Sequence, residues 1–176
     1  MNKDNPKSDT GNMSTIMTAL AWVAFMLLLG FYFNDVLEKQ KNPNQTLSTQ
    51  YSDGQIREVT LQRNKFGHYL SSGKLNGQSV TFMLDTGATG VAIPDHIARA
   101  LKIERGRAYS VRTANGIATS FATRLDTVSV GEITLRNVDA GISPGLTGDE
   151  VLLGMSFLKH IEFTQRGNTL VLKQYF

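Results

Sequence analysis

Residues 14–33 read STIMTALAWVAFMLLLGFYF and carry no charged side chain. A helix of that length rises about 1.5 Å per residue and spans roughly 30 Å, the thickness of a bilayer's hydrocarbon layer. The segment is therefore expected to cross a membrane. Trp22 lies inside it, while Phe31, Tyr32 and Phe33 gather at its C-terminal end, where aromatic rings favour the interface. A cleaved signal peptide competes with this reading. Its small-x-small site, Ala19-Leu20-Ala21, follows too short an apolar run, and the run continues well past it, so an uncleaved anchor fits better. A buried helix of a soluble protein is the remaining alternative.

The charge flanking the span does not orient it, because Lys3 and Lys7 precede it and Lys39 and Lys41 follow it. Residues 1–13 read as a short polar tail. Residues 34–58 are rich in Asn, Gln, Ser and charge with little periodicity, and are expected as a flexible juxtamembrane linker. That leaves residues 59–176 as one folded domain, and the 176-residue chain has no room for a second large one.

Composition removes several function classes. The net charge of +3 comes from scattered Lys and Arg, without the clustering beside aromatics that a nucleic-acid surface needs, so nucleic acid is not an expected partner. There is no cysteine, which excludes disulfide scaffolds, thiolate metal sites and thiol nucleophiles. His68, His96 and His160 are far apart, with no i, i+4 pair. Neither a metal nor a cofactor is expected.

Beyond residue 58, short runs with β-branched residues recur between turn signals, so the domain is expected to be mostly β. Residues 68–75 and 78–84 flank Asn76-Gly77, the strongest short hairpin signal. A second hairpin is expected from 109–113 through Asn115-Gly116 to 117–123. A third runs from 124–130 through Gly131-Glu132 to 133–138, and a last strand follows Gly167-Asn168. One short helix is expected over 94–101, where Pro94 and Asp95 suit a helix start and Ile97, Ala98 and Leu101 share a face.

The tripeptide Asp-Thr-Gly occurs at Asp9-Thr10-Gly11 and again at Asp85-Thr86-Gly87. Context separates the copies. Asp9 lies in the polar tail, where no core can position it. Asp85 ends the apolar run Val80-Thr81-Phe82-Met83-Leu84 and precedes a tight turn and a second apolar run, Gly90-Val91-Ala92-Ile93-Pro94. That arrangement presents a carboxylate rigidly at the floor of a cleft. The plainer reading of Asp85 alone is a turn aspartate held by its own backbone contacts.

The stretch FMLDTGATGVAIP is similar to the active-site segment of the retropepsins, and more closely to that of bacterial membrane-anchored proteases with an Asp-Thr-Gly-Ala signature, all of them clan AA aspartic proteases. Val151-Leu152-Leu153-Gly154-Met155-Ser156-Phe157-Leu158 resembles the family's second element, a strand passing behind the catalytic loop and leading to a short helix. A flap-like hairpin at Thr113-Ala114-Asn115-Gly116 lies between them in the family order, and the resemblance covers about residues 66–176. It implies a mostly β, single-lobe retropepsin-like acid protease fold with one or two short helices, preceded by a single transmembrane helix. It further implies Asp85 as the catalytic residue, Thr86, Gly87 and Ala88 as its loop, the 113–116 hairpin as a flap, and Leu152, Leu153 and Gly154 as the supporting element.

Two carboxylates at close range cannot both ionise, so one serves as general base toward water while the other donates a proton to the scissile carbonyl. By resemblance, Thr86 would hydrogen-bond across the pair, Gly87 would let the backbone approach closely, and Ala88 would sit beside the substrate. A domain with one such aspartate, and the size of one lobe, then needs a homodimer with its axis between two copies of Asp85. The bacterial relatives further imply a peptide substrate and a domain facing the periplasm from the inner membrane. Retropepsins usually pair an acid after the Asp-Thr-Gly-Ala core with an Arg after the later glycine; Thr89 and Met155 stand here, so both partners are replaced together. The readings to be separated from a protease are a catalytically silent peptide-binding module of the same fold and a membrane-anchored scaffold.

Overall fold

The structure is a computed structural model that describes residues 10–52, 55–113 and 116–175. It divides into two compact units, Met1–Glu38 and Lys39–Phe176. Helix α1, Thr10–Lys41, makes up the described part of the first and enters the second with its last residues. Met13–Lys41 is, among the described residues, the one helix long and apolar enough to cross a membrane. Its apolar side chains point in every direction and residues 13–28 are all exposed, so no single groove of a protein could cover them. Residues 1–9, with Asp9, lie outside the described residues, and α1 already begins at Thr10, inside the expected polar tail.

The second unit is a β-domain. Its elements are β1 Thr49–Ser52, β2 Ile56–Gln62, β3 Leu70–Leu75, β4 Gln78–Leu84, β5 Val91–Pro94, α2 Asp95–Ala100, β6 Ala108–Thr113, β7 Gly116–Val130, β8 Ile133–Ser143, β9 Glu150–Leu153, α3 Met155–Leu158, β10 Glu162–Arg166 and β11 Thr169–Tyr175. One sheet has the order β1-β2-β11-β10 and joins the two ends of the domain. The other runs β3-β4-β9-β5-β8-β7-β6. A short pairing of β3 with β7, Lys74↔Ser129 and Leu75↔Val128, closes this second sheet on itself and leaves β6 outside the ring. Phe82, Ile93, Leu125, Ile142, Leu153 and Phe157 fill the interior without measurable exposure. Each contributes about 2 kcal/mol relative to an exposed position.

The turn at Asn76-Gly77 holds both residues at positive φ, 47° and 80°, the type I′ geometry whose twist suits a two-residue hairpin. Asn76 also binds β7 twice: its N–H donates to Thr127 O at 2.9 Å, and its Oδ1 accepts from Thr127 N at 3.1 Å. The turn thereby extends the seam that closes the ring. The expected helix is α2, with Asp95 in its first turn bonded to Arg105 and paired with Arg99 at 3.3 Å. The Arg105 guanidinium holds the Asp95 carboxyl below the usual carboxylate range, so this contact is lost only as pH falls through that lowered value.

Two expectations change. The second and third hairpins share one 15-residue strand, β7, because no Gly, Pro or Asn interrupts residues 117–130. Its first half pairs with β6 and its second with β8. The segment 34–58, expected as a flexible linker, holds the end of α1, all of β1 and the start of β2. Two of its three asparagines are not solvated: Asn42 and Asn44 are buried. The Asn44 amide donates to Gln62 O at 2.9 Å and Leu70 O at 2.6 Å, and its Oδ1 accepts from Gln62 N at 2.7 Å. One side chain thus links the end of β2 to the start of β3.

Replacing Asn44 by Ala strands two carbonyls and one N–H, at about 1–3 kcal/mol per unsatisfied buried group. The expected loss is about 3 kcal/mol or more, read from urea unfolding of the purified chain followed by circular dichroism; a loss within about 0.5 kcal/mol, the range of ordinary surface substitutions, would show the amide to be dispensable.

Candidate functional site

Asp85 is placed by the strands on either side of its loop. β4 leads in and β5 leads out, yet the two do not pair with each other. Instead β9 lies between them, parallel to β4 through Leu84↔Leu153 and antiparallel to β5 at Ala92↔Leu152. The loop from 85 to 90 must therefore straddle the end of β9, and a tight hairpin is excluded. Its ends are tied down: Asp85 N donates to Leu153 O at 3.2 Å, and Ala88 N to Asp85 O at 3.2 Å. The chain leaving β9 then returns the contact, with Met155 N donating to Ala88 O at 2.8 Å and Ser156 N to Thr89 O at 3.0 Å.

Gly154 marks the crossing point. A Cβ there would sit 2.5 Å from Ala88 O and closer still to Gly90 O, both backbone atoms with no freedom to swing away. Ser156 adds a further tie that the sequence did not single out, its Oγ accepting from Val91 N at 2.9 Å. The signal available was a hydroxyl one helical step past the glycine, which is too common to be informative. Met155 and Thr89, where retropepsins usually carry an ion pair, are joined here to the same crossing through backbone bonds alone.

Asp85 is partly buried, and its Oδ1 accepts an exposed hydrogen bond from Gly87 N at 2.8 Å. Among the described residues only this bond reaches its side chain. An aspartate that bonds the N–H two residues on forms a small closed turn, which fixes its rotamer before any ligand arrives. A Cβ on Gly87 would crowd that same oxygen at 3.1 Å, so glycine here keeps space beside the carboxylate rather than beneath the backbone. Thr86 and Gly87 are exposed, and Ala88 is partly so.

The loop, Leu152, Leu153 and Gly154 are thus brought together. The flap-like hairpin is a separate element: β6 and β7 run up to the pair Thr113↔Gly116, where Thr113 Oγ1 donates to Gly116 O at 2.9 Å. Ala114 and Asn115 lie outside the described residues. β6 pairs with β7 and β4 with β3 and β9, so no strand ladder joins the hairpin directly to the strand that carries the Asp85 loop.

The sequence model of the gag-polyprotein putative aspartyl protease family matches residues 71–160, about half of the chain. A curated Sinorhizobium sp. protein, described as an uncharacterized protein in the cobV 5′ region, is 34% identical over 65% of this chain and 50% of its own length. An uncharacterized protein of Rickettsia prowazekii (strain Madrid E) is 27% identical over 69% of this chain and 53% of its own. The chain spans about half the length of these curated relatives. Among solved structures, a retropepsin-like aspartic protease from Rickettsia conorii superposes with a TM-score of 0.57 and 26% identity, covering 73% of this chain and 94% of that one. The Asp85 loop, β9 and α3 all fall inside the family match.

A methyl group at the crossing tests its importance. Gly154→Ala is expected to displace the loop and destabilise the domain by about 3 kcal/mol or more, read as a lowered unfolding midpoint, because overpacking against fixed backbone finds no rotamer to relieve it. An unchanged midpoint would show that the loop is not held against β9. By the half of its length that the family model spans, the chain belongs to the gag-polyprotein putative aspartyl protease family, and its fold is retropepsin-like.

Proposed function

We propose that the chain is a membrane-anchored aspartic endopeptidase whose active site is made by Asp85 of two identical copies. The observation that carries this reading is the loop itself: a partly buried aspartate whose carboxylate bonds Gly87 N, on a loop braced from behind by the N–H groups of Met155 and Ser156. Hydrolysis of a peptide bond needs a base for the attacking water and an acid for the carbonyl oxygen. A single carboxyl group cannot act as both in one step. Two copies of Asp85 facing each other across a twofold axis supply both, one ionised and one protonated.

In that site the ionised carboxylate takes a proton from water as its oxygen attacks the scissile carbonyl carbon, and the protonated partner gives its proton to the carbonyl oxygen. Collapse of the tetrahedral species breaks the C–N bond, with a proton delivered to the leaving nitrogen, and yields a carboxylic acid and an amine. Thr86 would steady the paired loops, Gly87 would leave room beside the carboxylate, and Ala88 would border the substrate backbone. The 113–116 hairpin would close over the peptide and exclude water. Residues 14–33 would form the span, with the domain on the periplasmic side of the inner membrane, and confinement to a plane would raise the effective concentration of the partner chain.

Peptide cleavage by wild-type chain and by Asp85→Asn tests the chemistry. Cleavage should fall to background in the variant, and unchanged cleavage would hand the fold to a peptide-binding or scaffold role. Co-expressing the two in equal amounts tests the pairing: random dimers leave about a quarter of the activity, whereas sites complete within one chain would leave about half.

A further inference from the structure

The loop at residues 63–67 is built to hold an aromatic ring outward. Asn64 is buried and organises it: its Oδ1 accepts from Phe66 N and His68 N, each at 2.9 Å, while its backbone N–H donates to His68 O at 2.8 Å. Gly67 turns the chain at a φ of 88°, and Arg63 Nε donates to Gly67 O at 3.0 Å. Phe66 at the tip is 61% exposed, with Lys65 Nζ 5.1 Å from its ring centroid. A rigid loop that exposes a phenyl ring beside a cation forgoes burial that the core could have supplied.

Two bonds tie this tip to the end of α1. Lys65 Nζ donates to Gln40 Oε1 and Asn64 Nδ2 to Lys41 O, both at 2.9 Å. Gln40 is seven residues beyond Phe33, where the uncharged run ends. Seven residues cover about 10 Å as helix, and the headgroup layer outside the hydrocarbon is about 5–8 Å thick. Gln40 thus stands about 2–5 Å beyond the outer edge of that layer, a gap that a phenylalanine side chain is long enough to bridge. Arg63 and Lys65 in the loop, with Lys39 and Lys41 on the last turn of α1, outnumber the acids beside them, Glu38 on that same turn and Glu150, which pairs with Lys41 at 2.8 Å.

We propose that residues 63–67 form a lipid-contact loop, with Phe66 inserted among the headgroups of the bilayer that α1 crosses and the neighbouring cations facing lipid phosphates. Aromatic rings favour that layer, and each cation near an anionic surface adds to the attraction. The domain would then be held at the bilayer as well as by its helix, and the polypeptides it meets would be those that run close to the same surface. This inference rests on the anchored reading of α1.

The chain has no cysteine, so Phe66→Cys offers a single position for a nitroxide label. Full-length chain in nanodiscs of phosphatidylcholine and phosphatidylglycerol would be labelled there, at Leu27→Cys within α1, or at Thr164→Cys on the exposed strand β10. Collision rates with oxygen and with a water-soluble nickel chelate report depth. The label at 66 should favour oxygen over nickel, as at 27 and opposite to 164. If 27 reads as lipid while 66 reads as water, the lipid-contact loop is overturned and the anchor stands; if 27 also reads as water, the anchor falls and takes the loop with it. Phe66 is exposed, so its replacement leaves the core intact and all three labelled chains can be compared by their circular dichroism.

Discussion

Everything around Asp85 depends on β9 passing between the two strands that carry the loop. Because β4 and β5 each bond to β9 rather than to one another, the segment joining them is forced wide and has nothing of its own to rest on. It rests on the backbone leaving β9. The contact is so close that residue 154 has no space for a side chain. The position of the carboxylate is therefore set by backbone atoms, which hold geometry better than long side chains do, and the side chain adds only a short turn bonded to Gly87 N.

The domain around this crossing is held by polar groups as much as by its core. The second sheet closes through two residue pairs, and Asn76 lengthens that short seam by presenting an N–H and a carbonyl oxygen to Thr127, much as a further strand residue would. Asn44 does similar work between β2 of one sheet and β3 of the other, satisfying three backbone groups at one buried position. In both places an amide side chain stands in for the backbone where the strands stop short.

The sequence showed most clearly the features whose physics is local. Asn76-Gly77 announces its hairpin because few residues accept positive φ twice in succession. The Asp85 loop was legible because an apolar strand, a turn and a second apolar strand follow in order, with the Leu152-Leu153-Gly154 element at the right remove. What stayed hidden depends on distant partners. Asn42 and Asn44 read as solvated linker because an asparagine buried on β-strand carbonyls has the same letter as one in water. The continuity of β7 was masked by counting two hairpins and hence two strands, and Ser156 gave no sign of the N–H it accepts. Gly154 was visible as a glycine, but the two carbonyls that require it lie about 65 residues earlier in the chain.

That separation also orders events during synthesis. Leu84 and Leu153, whose strands must pair before the loop has its support, are about seventy residues apart, and the pairing of β4 with β9 is the most distant in that sheet. A ribosome delivers β4 well before β9. While the chain is emerging, its aspartate is already outside the tunnel but has no floor beneath it. A nascent polypeptide halted anywhere between the two strands would thus carry Asp85 on an unsupported segment, and the fixed geometry arrives only when β9 does.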